Sequence, residues 1–367
     1  MKIEVMKAEL VRCINIVLKA VPSKTTLTIQ ECILICAQAG TITFTTNDME
    51  LGIETVVNGS VAERGIVAID AKLFSDIIRK LPDNLVSIET DSNMMTTIVC
   101  EKAKFRIPSS EGDDFSGIPV IENENPVVVS QMTLRDMVLR TIFSISQNDS
   151  NKIMTGEYME IHENSMRLIA LDGHRIAIRK TLLKEVYPDM NAIIPGKTLS
   201  DIAKILTGES EKEVGIYLEK NLIMFRFDET TVVSRLIEGN YFNVDRMLPT
   251  DYQTKVTINR REMADCIDRS ILMIREDDRK PIIMNIENDQ MQLMVNSQIG
   301  SMDETIEIEA EGKDVKIGFN PKLINDALRA IDEEKIEIYY MNSKAPCVIK
   351  DEAGSYIYLV LPVNFIS

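Results

Sequence analysis

Lys72-Leu73-Phe74-Ser75-Asp76-Ile77 returns as Lys197-Thr198-Leu199-Ser200-Asp201-Ile202 and again as Lys322-Leu323-Ile324-Asn325-Asp326-Ala327, each time after an interval of 125 residues. Arg79, Lys204 and Arg329 keep the same step, as do Leu81, Leu206 and Ile331. Solenoid repeats run to only about 20–50 residues and cannot bury a core alone. A unit of this length can. The sequence therefore describes one domain design used three times, in a chain of 367 residues.

Each copy reads as a strand and amphipathic helix, a set of alternating strands, a second strand and helix, and three closing strands. The first helices are expected at Lys7–Val17, Leu134–Ser144 and Arg261–Leu272. The second are expected at Lys72–Leu81, Lys197–Leu206 and Lys322–Ile331. This gives an α+β fold of three repeated domains, each with two helices and about eight antiparallel-type strands. Turn residues and charge collect at Ile121–Pro126 and Pro249–Gln253. The domains are accordingly expected at 1–124, 125–251 and 252–367.

No apolar run approaches the ~20 residues of a membrane span. The start, Met1-Lys2-Ile3-Glu4-Val5, reads as a strand rather than a signal peptide. Six cysteines lie scattered without metal-ligand spacing, as buried reduced thiols would, so a cytoplasmic location is expected. The formal charge of −16 opposes simple electrostatic binding of nucleic acid, although a global sum can hide a local basic face.

Enzyme motifs do not survive comparison between the copies. Pro195-Gly196-Lys197-Thr198 resembles the end of a phosphate-binding loop, but the sister copies hold Ile69-Asp70-Ala71-Lys72 and Phe319-Asn320-Pro321-Lys322, which keep the lysine and lose the glycine. The two histidines, His162 and His174, have no metal-ligand spacing, and no nucleophile elbow occurs. No catalytic residue, metal or cofactor is expected.

Two features point to function. Positions seven apart on a helix share a face. Lys72 with Arg79, Lys197 with Lys204, and Lys322 with Arg329 therefore form three equivalent basic stripes in an acidic protein. Asp76, Asp201 and Asp326 stand four residues after each lysine, so plain helix-stabilising ion pairs are the competing reading. Secondly, copy two alone carries Leu171-Asp172-Gly173-His174-Arg175-Ile176. Asp-Gly is a turn signal, but a turn does not require His-Arg between apolar residues. The patch suggests capture of a peptide, with apolar anchors and an orienting arginine.

Asp172-Gly173-His174-Arg175, the stretch from Arg235-Leu236-Ile237-Glu238-Gly239 to Arg246-Met247-Leu248-Pro249, and the tail Leu359-Val360-Leu361-Pro362-Val363 together resemble the bacterial sliding clamps, the beta subunits of DNA polymerase III. The resemblance spans the whole chain. It implies a head-to-tail homodimer closed into a ring, with helices lining a hole that holds duplex DNA. It also implies a processivity role without catalysis, serving the replicative polymerase, the clamp loader, and other polymerases and repair proteins with clamp-binding motifs. A scaffold of the same domains without DNA is the alternative.

Carried over by position, the resemblance puts DNA contacts at Lys24, Lys72, Arg79, Asn148, Lys197, Lys204, Lys322 and Arg329. It makes Met154, Leu171, Gly173, His174, Arg175, Ile176, Arg246, Met247, Leu361, Pro362 and Val363 the walls of a partner-peptide cleft. Phe105 on one side and Ile271-Leu272 on the other are expected to close the dimer. The sequence departs from many relatives at Phe242-Asn243, where Pro-Asp is common.

Overall fold

A computed structural model describes residues 1–38, 40–148, 150–275 and 280–365. Six α-helices stand at the repeat positions: α1 (Lys7–Val17), α2 (Ala71–Lys80), α3 (Gln131–Leu139), α4 (Gly196–Ile205), α5 (Arg260–Ile271) and α6 (Pro321–Ala330). The second helix of a copy is begun by its local sequence. Asp70 caps α2 by accepting from the Leu73 N–H at 2.7 Å. Asn320 caps α6 through the Lys322 N–H at 3.0 Å, with Pro321 filling the first helical position. In copy two the start is Pro195-Gly196 instead. A Cβ at Gly196 would lie 2.3 Å from Ile145 Cδ1, so this glycine serves close packing.

One expectation is corrected. The helix expected at Leu134–Ser144 stops at Leu139, and a separate 3-10 turn covers Ile142–Ser144. Between them Thr141 turns its hydroxyl back onto the Met137 carbonyl at 2.8 Å and onto Glu157 at 3.0 Å. That bonding offers the backbone an alternative to continuing the helix.

The chain divides into two compact units, Met1–Met132 with Lys204–Leu236, and Thr133–Ala203 with Ile237–Ser367. The first holds a five-stranded and a nine-stranded sheet, and the second a seven-stranded and a four-stranded sheet. The strand pairings among the described residues are antiparallel, for example Leu34↔Thr45 in copy one and Ile283↔Met294 in copy three. Alternation of buried and half-buried residues, as in Cys32–Gln38, fixes which face turns to the helices.

The copies share sheets. In the first unit the copy-two strand Thr230–Arg235 pairs with the copy-one strand Leu51–Val57, from Thr230↔Thr55 to Ser234↔Leu51. In the second unit the copy-three strand Tyr356–Val360 pairs with the copy-two strand Arg175–Pro195, from Arg175↔Val360 to Arg179↔Tyr356. The two seams are repeats of one another. At the first, the Arg235 N–H donates to the Glu50 carbonyl at 2.9 Å; at the second, the Leu361 N–H donates to the His174 carbonyl at 2.9 Å. Among the described residues no helix is long and apolar enough to cross a membrane.

Candidate functional site

Asp172–Arg175 forms the tip of the hairpin between strands Gly156–Leu171 and Arg175–Pro195. Asp172 Oδ1 accepts from the N–H groups of His174 at 2.9 Å and Arg175 at 3.2 Å, and Gly173 takes φ +87°. An L side chain is strained at that angle, which is what the glycine provides. His174 is exposed, while the Arg175 side chain is only 11% exposed. Its guanidinium holds Asp172 at 3.0 Å, Asp326, and the Phe143 carbonyl, and lies 5.4 Å from the Phe143 ring centre. Arg175 therefore joins the turn to the second helix of copy three and is largely occupied before any peptide arrives.

Below the turn lies a small apolar cluster of Ile169, Leu171, Ile176, Ile178, Val244, Val348 and Leu359. Met154 packs on it half-buried, held by the short helix Lys152–Thr155. The segment that links copies two and three closes one side. Tyr158 and Tyr241 stack with ring centres 4.8 Å apart, Phe242 meets Tyr241 edge-on, and the Tyr241 hydroxyl donates to the Ile169 carbonyl. Asn243, at the divergent Phe242-Asn243 pair, caps the turn Val244–Arg246. Arg167 grips Asp245 through two hydrogen bonds of 2.8 and 2.9 Å, which holds that carboxyl below its ordinary range. This leaves Arg246 exposed and Met247 44% exposed at the rim.

The tail supplies the opposite wall. Leu361 is 39% exposed, and Pro362 and Val363 are half-buried. The Val363 N–H donates to the Gly318 carbonyl at 2.8 Å, where a side chain on Gly318 would strike Phe365. Ligand sites commonly enclose about 300–1,000 Å³. The cavity here, of 530 Å³, is bordered by His174, Leu361, Pro362 and Val363 together with Asn320, Leu323 and Ile271. The structure thus brings together the turn, the linker and the tail named from sequence, and adds Tyr241, Phe242, Val244, Asn320 and Leu323. A signal for the linker was present: Glu238-Gly239-x-x-Phe242 repeats Glu111-Gly112-x-x-Phe115. Nothing local in sequence marks Asn320 and Leu323, which reach the site only through the fold.

Beneath the cluster, Glu157 is fully buried. Its Oε2 accepts from the Thr141 hydroxyl, and Oε1 has no hydrogen-bond partner among the described residues. Burial pushes this carboxyl well above its ordinary range.

Lys72, Arg79, Lys197, Lys204, Lys322 and Arg329 are all exposed, as are Lys24 and Asn148 in their loops. The i+4 aspartates behave differently in each copy. Lys197 pairs with Asp201 at 3.5 Å, Asp326 binds Arg175, and Asp76 lies exposed. Plain intrahelical pairing is therefore no common reason for the repeated lysine.

Phe105 is 38% exposed on Ala103–Pro108, the edge strand of the five-stranded sheet. Ile271 packs half-buried on the copy-three core, and Leu272 beside it is 70% exposed. An exposed edge strand is a template for pairing with another chain.

Among the described residues no group of three or more His, Cys, Asp or Glu could hold a metal. Sequence models of the DNA polymerase III beta subunit match the chain in three stretches. The N-terminal domain covers residues 1–119, the central domain 128–243 and the C-terminal domain 245–364. A beta sliding clamp of Staphylococcus aureus (strain Mu50 / ATCC 700699) is 31% identical over 362 residues, 96% of each chain. A crystal structure from Eubacterium rectale ATCC 33656, assigned as a DNA polymerase III beta subunit, is 56% identical with a TM-score of 0.96, over all of both chains. The DNA polymerase sliding clamp of Bacillus subtilis matches at 29% identity and a TM-score of 0.95, again over all of both chains.

Proposed function

Because the chain belongs to the bacterial DNA polymerase III beta-subunit family, the sliding clamps, we propose that two copies close into a ring around duplex DNA and tether the replicative polymerase for processive synthesis. The family is a processivity factor, and the catalysis belongs to its partner polymerase. The observation that carries the DNA reading is the exposure of six cations at two repeat positions in a chain of net charge −16. Phosphate contacts hold a duplex without reading its sequence, which a sliding device requires.

Closure of the ring is supported by two complementary edges. Ala103–Pro108 presents Phe105 between exposed Lys104 and Arg106. Ser301–Glu307, the edge of the four-stranded sheet, presents Asp303 and Glu307, with Leu272 exposed on α5. Such a head-to-tail contact uses two different surfaces and closes when the rotation fits. The cleft of Met154, Leu171, His174, Met247 and Leu361 would take short motifs from the polymerase, the clamp loader and repair proteins, and Lys24 and Asn148 would add loop contacts to DNA. The domain limits 1–124, 125–251 and 252–367 and a cytoplasmic location go with this reading.

Two measurements test it. With clamp loader present, the protein should stay on nicked circular DNA through a high-salt wash and leave linear DNA. Replacing Lys72, Arg79, Lys197, Lys204, Lys322 and Arg329 by Ser should weaken that loading without unfolding the chain, since exposed substitutions cost within about 0.5 kcal/mol each. A protein that binds clamp-motif peptide yet is never retained on circles would be the DNA-free scaffold. Changing both Ile271 and Leu272 to Ala should give a folded monomer on sizing; a dimer persisting at the lowest measurable concentration counts against this interface.

A further inference from the structure

The three second helices carry cations at two repeat positions, but the first-helix neighbours of the second position, Arg79, Lys204 and Arg329, differ. Asn15 and Asp268 occupy the same place, nine residues into α1 and α5 respectively, as their flanking buried pairs Cys13 with Cys266 and Ile14 with Ile267 show. Arg79 hydrogen-bonds Asn15 Oδ1 at 2.9 Å. Arg329 instead meets the Asp268 carboxylate at 3.1 Å. That carboxylate also accepts from the Asn325 amide at 2.6 Å, so it is anchored beside the arginine and cannot readily swing away. Copy two has Leu139 at the matching place.

An exposed ion pair adds little to stability, yet it changes what a phosphate meets. To reach Arg329, a phosphate must compete with a fixed carboxylate and approach a like charge. To reach Arg79 it meets a neutral amide that already orients the guanidinium. Arg79 also opens onto a cavity of 360 Å³ bordered by Arg12, Lys19 and Lys204, with Asp228 as its carboxylate. Arg12 is itself paired with Glu9 at 2.8 Å, but the cavity still gathers more positive than negative side chains.

We propose that the three basic stripes grip DNA unequally: the cavity around Arg79 is the main phosphate seat, and Asp268 holds Arg329 back from the duplex. The inference rests on the DNA-encircling reading and adds to it an electrostatic inequality between copies that are alike in fold.

Binding of a labelled short duplex by the full-length protein, measured from 50 to 200 mM salt, tests this. Each phosphate contact contributes about 0.9 to the slope of log affinity against log salt. Arg79→Ser and Asn15→Asp should each reduce the slope by about one, and Asp268→Asn should raise it by about one. Arg329→Ser should cost several-fold more affinity in the Asp268→Asn background than in the otherwise native chain. A simple change in net charge predicts equal losses in both backgrounds, and that result would overturn the inference. So would equal effects of Arg79→Ser and Arg329→Ser in the native chain. Circular dichroism and sizing confirm that each variant is folded. If the native protein shows neither salt-dependent duplex binding nor retention on nicked circles, the DNA reading itself fails and this inference with it; retention of the native protein with equal stripes removes this inference alone.

Discussion

At the seam between copies one and two, Asp48 Oδ1 accepts from the N–H groups of Glu50 at 3.0 Å and Leu51 at 2.7 Å, and Met49 takes φ +74°. At the seam between copies two and three, Asp172 makes the same turn with His174 and Arg175, and Gly173 takes φ +87°. Both turns then receive the strand of the next copy. Beyond the turn the two seams part. At the first, the linker turns Ile118 inward, where a Cβ on Gly52 would meet it at 2.5 Å, and Ile118 joins the cluster of Ile121, Met224 and Val233. At the second, the matching linker position is Asp245, drawn outward by Arg167, and Met247 and Leu361 are exposed. One backbone design thus gives a seam whose linker turns Ile118 inward and a seam that keeps apolar side chains exposed at its rim. The choice depends on a few side chains, because hydrogen bonds set the pairing and the linker residues decide what covers it.

The largest expected effect separates the seams by binding. Met247→Glu, or deletion of Leu361–Ser367, should abolish binding of a Gln-Leu-x-Leu-Phe-type peptide, since losing an apolar anchor in a desolvated pocket costs about 2 kcal/mol or more. Ile118→Ala should leave that affinity unchanged while lowering stability. Titration of a labelled peptide into all three variants checks this, and equal affinity throughout would place the partner site elsewhere.

A smaller effect concerns the buried carboxyl of copy two, whose matching position in copy one is the buried Ile33. With its folded pKa raised by burial above the ordinary 4.5, Glu157 keeps its proton where the unfolded chain loses it. Stability should be fully present below about pH 4.5 and fall as pH rises from there towards the folded value, by up to about 1.4 kcal/mol per pH unit. Glu157→Gln should flatten that fall and leave the acid side unchanged. Denaturant titrations at several pH values decide it; identical slopes in the two proteins would show that the carboxyl finds compensation.

The smallest effect lies in the turns. Gly173→Ala should destabilise by about 1 kcal/mol, because the positive φ strains an L residue although no atom lies within 4 Å of the added Cβ. Met49→Gly should gain a few tenths of a kcal/mol, as strain relief slightly exceeds the added freedom of the unfolded chain. Thermal melts resolve both signs.

Much of this was legible in sequence. The repeat located six helices to within a residue or two, apart from the bounds of α3, because helix periodicity and caps are local. The Asp-Gly-His-Arg turn was visible because it broke the repeat. The contacts of Arg175 were not legible: expected to orient a peptide, it is held by Asp172, Asp326 and Phe143, and Asp326 stands 151 residues away. Asn320 and Leu323 were missed for the same reason. The sequence by itself determined the threefold design, the elements and the positions of the exposed cations, since these arise from short-range periodicity and repetition. Only the tertiary structure decided which cations stand beside a fixed carboxylate, which linker residues turn inward at each seam, and that one strand from each later copy completes the sheet of the copy before it. Those outcomes depend on contacts between residues far apart in the chain, where a single neighbour such as Asn15 or Asp268 changes the sum.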